Sequence, residues 1–146
     1  MMIAHRYHDF SYGHRVVGHE NKCRNLHGHN GRVTFYCQAD ELDSVGRVID
    51  FSVIKTALCN WLEENWDHRF LVWEQDPLKD ALLALDKTVT VVPFNPTAEN
   101  LANYLLTVVG PEVLPKEITL IKVDFQETVK CGASLCLPSY FKQCSM

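Results

Sequence analysis

Alternating apolar and polar residues predict strands near both ends of the chain. In residues 7–16, Phe10, Tyr12, His14 and Val16 share one parity, and the other runs repeat this period of two. Because successive side chains of a strand point to opposite faces, each run predicts a strand with one apolar face. The predicted strands are residues 7–16, 32–39, 118–126 and 133–137, with a short β-branched strand at 88–92.

Apolar residues at helical spacing predict two main helices between these strands. The first covers residues 51–65 after a cap at Asp50, and its stripe includes Ile54, Leu58 and Leu62. The second opens at Asn95-Pro96-Thr97, with the proline suited to a first helical turn, and is expected to bury Leu101, Leu105 and Val108. A short helix is predicted at 78–85. This order favours an α+β domain with both main helices on one sheet face and antiparallel pairing at both ends.

The opposite sheet face is predicted to be polar and to meet water or line an oligomeric channel. Its residues are Arg32, Thr34, Tyr36, Gln38, Lys122 and Asp124.

The 146 residues fit one domain over 1–146, with a tail from about 138 to 146. A net charge of -4 does not suggest a nucleic-acid surface.

The location is expected to be cytoplasmic, without a membrane. No apolar run approaches the ~20 residues that span a bilayer, and the N-terminus lacks the apolar core of a signal peptide. The six cysteines would stay reduced there, and Cys37 and Cys59 lie in apolar patterns that predict core positions.

Two histidines separated by one residue predict a metal site. On a strand, His27 and His29 point to one face, although Gly28 and Gly31 leave open whether this is the Val33 face. His14 is a plausible third imidazole. Three neutral histidines with a vacant position describe a catalytic zinc, whereas four protein ligands describe a structural zinc. Three other histidines, His5, His8 and His19, are expected to be ordinary surface residues.

Three further positions carry possible chemistry. Cys23, beside Lys22 and Arg24, fits a base, a nucleophile, a further metal ligand or a buried apolar thiol. Asp67-His68 lies at a helix C-terminus, where a protonated imidazole is favoured, and fits a proton relay or a surface pair. Glu127 continues an apolar strand face and can accept two parallel hydrogen bonds from a guanidine-like edge, such as that of a pterin, or simply end the strand in water.

These residues together resemble the pyruvoyl-tetrahydropterin synthase superfamily, from Phe10 to about Ala133. The resemblance is carried by four ordered segments: Phe10-Ser11-Tyr12-Gly13-His14-Arg15, Cys23-Arg24-Asn25-Leu26-His27-Gly28-His29-Asn30, Asp67-His68, and Pro96-Thr97-Ala98-Glu99-Asn100 followed by Glu127-Thr128. Three residues between the cysteine and His-Gly-His are similar to the 6-carboxytetrahydropterin synthase branch, which serves the queuosine and 7-deazaguanine pathway. The biopterin-type branch has a longer gap there.

The resemblance implies a fold and an activity. The fold is the tunnelling fold, with a four-stranded antiparallel sheet, two main helices on one face, and subunits joined into an oligomeric barrel. The expected reaction converts 7,8-dihydroneopterin triphosphate to 6-carboxy-5,6,7,8-tetrahydropterin, acetaldehyde and triphosphate. The resemblance also implies that copies of the chain assemble as a trimer or hexamer with active sites between subunits.

The resemblance also assigns roles residue by residue. It implies zinc on His14, His27 and His29, proton transfer by Cys23, Asp67 and His68, and pterin binding by Glu127 and Thr97. The candidates for holding triphosphate are Arg15, Lys22, Arg24 and Arg69.

The chain differs from the usual family pattern at two places, and two other functions compete with this hypothesis. The family usually has small residues where this chain has Tyr12-Gly13, and an aromatic residue where it has Gly31. One rival is a pyruvoyl-forming synthase, which would not release acetaldehyde. The other is a non-catalytic module in which Cys23 completes a structural zinc site with the three histidines.

Overall fold

Six strands form one mixed sheet in the computed structural model, which describes residues 1–144. They are β1 (Ala4–His14), β2 (His27–Ala39), β3 (Arg69–Trp73), β4 (Thr90–Val92), β5 (Ile118–Gln126) and β6 (Gly132–Cys136). Their order across the sheet is β4-β3-β1-β2-β5-β6.

The predicted antiparallel part of the sheet is present, but the sheet has six strands instead of the expected four. β1, β2, β5 and β6 pair antiparallel, whereas β3 joins β1 and β4 joins β3 in parallel. The sequence prediction missed β3 because it has only five residues and follows Asp67-His68 directly. Its neighbouring residues Leu71 and Val72 are both buried, so this strand shows no alternation.

Four helical segments follow or connect these strands. We number them α1 (residues 51–65), α2 (Lys79–Leu85), α3 (residues 98–113) and α4 (Pro138–Cys144). The predicted caps of the main helices are partly confirmed. Asp50 accepts from the Ser52 N–H, but Thr97 caps α3 and the helix begins at Ala98, so Pro96 lies before the first turn. α4 occupies part of the segment expected to be a tail, and residues 145–146 lie outside the described part.

Each main helix contains one wide π turn, Lys55–Cys59 in α1 and Leu105–Val109 in α3. A π turn holds one more residue than an α turn, so the apolar stripe shifts by one position. In α3 the stripe runs from Leu101 and Leu105 to Val109, which are buried. The prediction that Val108 is buried is therefore wrong, since Val108 is 43% exposed.

The core lies between the helices and one face of the sheet. Phe35 and Phe125 from the strands pack with Leu58 and Leu105 from the two main helices. Cys37 and Cys59 are buried there, as predicted. On the other face, Tyr36 donates to Asp124, which also accepts from Ser134. In the described part of the chain, no helix has the length and apolar character needed to cross a membrane.

Candidate metal centre

The register of β1 and β2 brings three imidazoles together. Residue pairing runs without a shift from Ala4–Cys37 to His14–His27, and Tyr12 lies opposite His29. This register places His27 and His29 on the Val33 face, which the two glycines had left open. The bulge of β2 lies further along, between Tyr36 and Cys37, where that strand pairs with β5. One potential ligand atom from each of the three histidines lies within 4.8 Å of the others.

Hydrogen bonds on the other ring nitrogen set the tautomer of two histidines. His14 Nδ1 donates to the Pro96 carbonyl at 2.6 Å, and His27 Nδ1 donates to the Asn25 carbonyl at 2.7 Å. Because a carbonyl only accepts, both neutral rings carry hydrogen on Nδ1 and present a lone pair on Nε2. His27 Nε2 is buried with no hydrogen-bond partner among the described residues. Metal-ligating histidines have this arrangement, with the second nitrogen held by a backbone carbonyl.

Burial keeps His14 and His29 in the neutral form that binds metal. Burial lowers the pKa of His14 to about 4, although the Pro96 hydrogen bond partly opposes this effect. Burial also lowers the pKa of His29, with Glu127 acting in the opposite direction. At neutral pH both rings are uncharged, as ligation requires.

Glu127 places a carboxylate beside the histidines. Its Oε1 lies 3.7 Å from His14 Nε2, and its Oε2 lies 3.8 Å from His29 Nε2. It follows β5 directly, where its N–H donates to the Cys131 carbonyl. The side chain is 23% exposed, so it meets both the histidines and the adjoining cavity.

A cavity of about 300 Å³ brings Cys23 and Thr97 to the same place as Glu127. Cys23 lies in a short 3-10 turn, Lys22–Arg24, and its carbonyl accepts from the Val16 N–H. The cavity lining also contains Val16, His19, Ala98, Glu99, Cys131 and Gly132. The cluster of mutually close ligand atoms contains three imidazoles and, among the described residues, does not include the Cys23 thiol.

Asp67 and His68 line different cavities from Cys23 in this chain. They face a cavity of about 630 Å³ that also contains Ser11 and Asn30. Asp67 Oδ2 lies 2.9 Å from His68 Nδ1, and Asp67 Oδ1 accepts from the Ser11 N–H. Although burial raises the pKa of Asp67, these hydrogen bonds bring it below its ordinary value. The pair is formed, but one copy of the chain does not bring it into the Cys23 cavity.

His68 is held in an unusual backbone conformation. Its φ is 57°, the one positive value for a non-glycine residue among the described residues, and its side chain is 80% exposed. The backbone is fixed there because the His68 N–H donates to the Ser11 carbonyl. Such strain is more frequent at functional positions than elsewhere.

The four basic candidates differ in availability. Arg15 is engaged in a mostly buried ion pair, with its Nε 2.8 Å from Asp76 Oδ2. Lys22 and Arg24 are exposed on either side of Cys23. Arg69 lies beside His68 and donates to the Glu64 carbonyl.

Sequence reasoning missed the loop that supports His14. Asn95 bonds both the N–H and the carbonyl of Val17, which ties the loop before α3 to the end of β1. This contact presents the Pro96 carbonyl to His14. The Asn-Pro pair before a helix cap was a visible turn signal, but nothing in it indicated a histidine partner.

The two departures from the family pattern, Tyr12 and Gly31, lie against each other. A Cβ placed on Gly31 would lie 3.0 Å from Tyr12 Cε1 and 3.3 Å from the Gln126 carbonyl oxygen. The Tyr12 ring packs at 5.2 Å from the His14 ring and 5.7 Å from the Phe125 ring, measured between centroids. Burial raises the pKa of the Tyr12 phenol, and Glu127 and Cys131 raise it further. The Tyr12 ring from β1 thus occupies the space beside Gly31 that a side chain on β2 would need.

Comparisons with known proteins give a consistent result. A family model described as 6-pyruvoyl tetrahydropterin synthase matches residues 3–136. A 6-carboxy-5,6,7,8-tetrahydropterin synthase from Rickettsia felis is 32% identical over 126 residues, covering 84% of this chain and 91% of the relative.

Solved structures show the same similarity. The crystal structure of an uncharacterized protein from Wolinella succinogenes has a TM-score of 0.82 at 27% identity, covering 92% of this chain and 97% of that one. The structure of Caenorhabditis elegans 6-pyruvoyl tetrahydropterin synthase has a TM-score of 0.67 at 25% identity, covering 93% and 95%.

Proposed function

Because this chain belongs to the 6-pyruvoyl tetrahydropterin synthase family, we propose that it is a zinc-dependent 6-carboxytetrahydropterin synthase. The substrate would be 7,8-dihydroneopterin triphosphate, which with water gives 6-carboxy-5,6,7,8-tetrahydropterin, acetaldehyde and triphosphate. The observation that carries the proposal is the cluster of three imidazoles next to a cavity lined by Cys23, Thr97 and Glu127. The product would enter the queuosine and 7-deazaguanine pathway.

The donor set fits zinc. His14, His27 and His29 would hold the ion, since nitrogen ligands with a free fourth position are typical of catalytic zinc. The unpartnered lone pair of buried His27 Nε2 supports this assignment, because a metal would satisfy it. When bound, zinc would supply Lewis acidity, which would make C–H bonds of the substrate side chain easier to break.

Cys23 is the candidate base that would remove a proton from a carbon atom of the substrate side chain. It lines the cavity with Glu127 and is partly exposed, so a substrate can reach its sulfur. Its thiol is not part of the ligand cluster, which leaves it available for proton transfer. Lys22 and Arg24 on either side are candidates for attracting the triphosphate.

Glu127 and Thr97, which line the same cavity as Cys23, would hold the pterin ring. The Glu127 carboxylate can accept from the amino group and the ring N–H of the pterin, which form two parallel donors. The Thr97 hydroxyl already accepts from the Asn100 N–H, so it keeps its own hydrogen to donate.

Asp67 and His68 would complete proton transfer from a neighbouring copy. They form a hydrogen-bonded pair, and the exposed imidazole can project beyond its own chain. Asp67 would orient the imidazole ring through this hydrogen bond. This arrangement requires an oligomer, a trimer or a hexamer, with active sites between subunits.

Pyruvoyl formation is the second candidate activity. The description of the matching family model and the Caenorhabditis elegans relative favour it, whereas the Rickettsia relative favours the carboxy product. The two reactions differ in whether a carbon–carbon bond breaks, so acetaldehyde distinguishes them.

The test is incubation of the purified, zinc-loaded protein with 7,8-dihydroneopterin triphosphate. We expect mass spectrometry to find the carboxy pterin, with an equal amount of acetaldehyde trapped as a hydrazone. A pyruvoyl product without acetaldehyde would replace the proposal with the second candidate. No change in the pterin would reject both.

Cys23→Ala separates the enzyme from a structural zinc module. As a catalytic base, Cys23 should contribute about 10²–10⁴-fold in rate, so the variant should keep one zinc per chain and its thermal stability but lose turnover. Cys136→Ala is a control, because Cys136 is also partly exposed and does not line the cavity. If Cys23→Ala instead loses zinc and unfolds at lower temperature, the Cys-His₃ module is the better account.

A further inference from the structure

We propose that the Tyr12 hydroxyl determines ligand specificity by donating a hydrogen bond to the ring carbonyl of the pterin. This inference rests on the proposed function, because it assumes that the cavity beside Glu127 receives a pterin. It concerns a residue of this chain that departs from the usual family pattern.

The Tyr12 hydroxyl is buried without a hydrogen-bond partner, although buried polar groups normally have one. Tyr12 is 3% exposed, and its oxygen has no hydrogen bond among the described residues. Among the side chains that the structure describes, the one other buried atom in this state is His27 Nε2, which belongs to the candidate metal centre. Because unpaired buried polar groups are costly, they indicate a bound species that completes them. Both such atoms therefore point to occupancy of the same region.

The Tyr12 ring lies against Phe125 of β5 and close to Glu127. Tyr12 extends from β1 across the open space above Gly31, where a Cβ would lie 3.0 Å from its Cε1 atom. The ring reaches Phe125 on β5, edge to face at 5.7 Å. Glu127 lies two residues beyond Phe125 and lines the cavity. Glu127 and Cys131, which both line the cavity, are close enough to the Tyr12 phenol to raise its pKa. A ligand that binds the Glu127 carboxylate would therefore come close to the Tyr12 hydroxyl.

The chemistry of the two residues matches one edge of a pterin. That edge presents an amino group, a ring N–H and a carbonyl, which are two donors followed by one acceptor. Glu127 supplies the two acceptors, and a protonated phenol supplies the donor that the carbonyl needs. A 2,4-diaminopteridine has an amino group in place of the carbonyl, so it cannot accept this bond. The hydroxyl should therefore discriminate against diaminopteridines.

The test compares neopterin with 2,4-diamino-6-hydroxymethylpteridine on zinc-loaded wild-type protein and Tyr12→Phe. We expect Tyr12→Phe to bind neopterin about tenfold more weakly, the factor of one hydrogen bond, and to lose most of its preference for neopterin. The melting temperature of the free variant should be unchanged or higher, because an unpaired buried hydroxyl has been removed.

Tyr36→Phe is the matched control. The Tyr36 hydroxyl donates to Asp124 Oδ2 at 2.7 Å on the opposite face of the sheet. This variant should melt at a lower temperature and bind both compounds as the wild type does.

Three results would overturn the inference, and the Glu127→Gln variant shows whether the proposed function still stands. If the wild type and Glu127→Gln differ in neopterin affinity but Tyr12→Phe binds and discriminates like the wild type, the inference fails while the proposed function stands. The same conclusion follows if Tyr12→Phe only lowers the melting temperature. If the wild type does not bind neopterin, both the inference and the proposed function fail.

Discussion

The burial of His14 as a neutral imidazole links the metal centre to the folding stability of the protein. Its ring carries hydrogen on Nδ1, donates it to Pro96 and has a pKa of about 4, compared with 6.5 for an ordinary histidine. Folding therefore favours the state that is ready to bind metal. A proton on this ring would have to be removed before ligation.

This burial predicts a specific pH dependence for the metal-free protein. Above about pH 6.5 both the folded and the unfolded state hold His14 neutral, so its ionisation adds nothing to stability. Between pH 6.5 and about 4 the unfolded state takes up a proton that the folded state does not, so the free energy of unfolding falls. The loss is at most roughly 3 kcal/mol. Urea unfolding in the presence of a chelator, at several pH values, measures it.

His14→Gln is the control for this pH range. It should weaken the dependence between pH 6.5 and 4, while leaving a contribution of the same sign from His29, whose pKa is also lowered. Carboxylates with lowered pKa, such as Asp67, lose their contribution as the pH falls below about 4, so they act in a separate range. A wild-type stability that stays constant from pH 7 to 4.5 would contradict the burial of neutral His14.

The contact between Tyr12 and Gly31 predicts that the two positions are energetically coupled. Alanine at Gly31 would gain up to about 1 kcal/mol in strand propensity, but its Cβ would press on a ring that Phe10, Phe125 and His14 hold in place. Overpacking of this kind costs about 1–3 kcal/mol, so we expect Gly31→Ala to destabilise the protein. The measurement is the free energy of unfolding in a double-mutant cycle with Tyr12→Ala.

In the Tyr12→Ala background the same alanine at Gly31 should cost at least about 1 kcal/mol less, because the ring is gone. Equal costs in both backgrounds would show that the Gln126 carbonyl, 3.3 Å from the added Cβ, sets the penalty instead.

At the scale of secondary structure elements, the sequence predicted the antiparallel strands well because their faces differ in polarity. Alternation around Phe35 and Phe125 marks β2 and β5, which have one core face and one polar face. It also placed His14 correctly, since that residue continues the parity of Phe10. The parity of His27 and His29 depended on the absence of a bulge near two glycines, and only the observed register decides that question.

The elements that the sequence missed share a physical cause. β3 is buried without alternation, and the π turns change the helical period at single positions that no residue type marks. The partnership of Tyr12 with Gly31 depends on which cross-strand neighbours meet. Long-range contacts of this kind, like the one between His14 and Pro96, are not encoded in local pattern.

The π turn in α3 predicts that two adjacent valines differ in their contribution to stability. Val109→Ala should cost about 2 kcal/mol because Val109 is buried against the core. Val108→Ala should change stability by less than about 0.5 kcal/mol, since its side chain is 43% exposed. Chemical unfolding of both variants gives the comparison. A larger loss at Val108 would mean that α3 keeps the regular α period that the sequence had suggested.

At the scale of the whole molecule, the proton-transfer residues are divided between two regions of one chain. Cys23 lines the cavity beside the metal centre, whereas His68 lines cavities on the other side of β1. A site that needs both groups can be completed when two copies of the chain meet. The polar outer sheet face and the exposed His68 are consistent with such an arrangement.

Complementation between two inactive variants tests whether the site is shared. Cys23→Ala and His68→Ala should each lack turnover, because each removes one proton-transfer group. In a mixed oligomer formed by co-expression, an intact site arises where the His68→Ala subunit supplies Cys23 and its neighbour, the Cys23→Ala subunit, supplies His68. With random mixing and cyclic contacts, about a quarter of the sites should be intact, so activity should return to about 25% of wild type.

Sites built within one chain would stay inactive in every mixture, because no subunit then contains both groups. A mixture of Cys23→Ala with Cys23→Ala/His68→Ala is the control, since no pairing in it restores the cysteine. Activity in the first mixture and none in the second would assign Cys23 and His68 of one active site to different subunits.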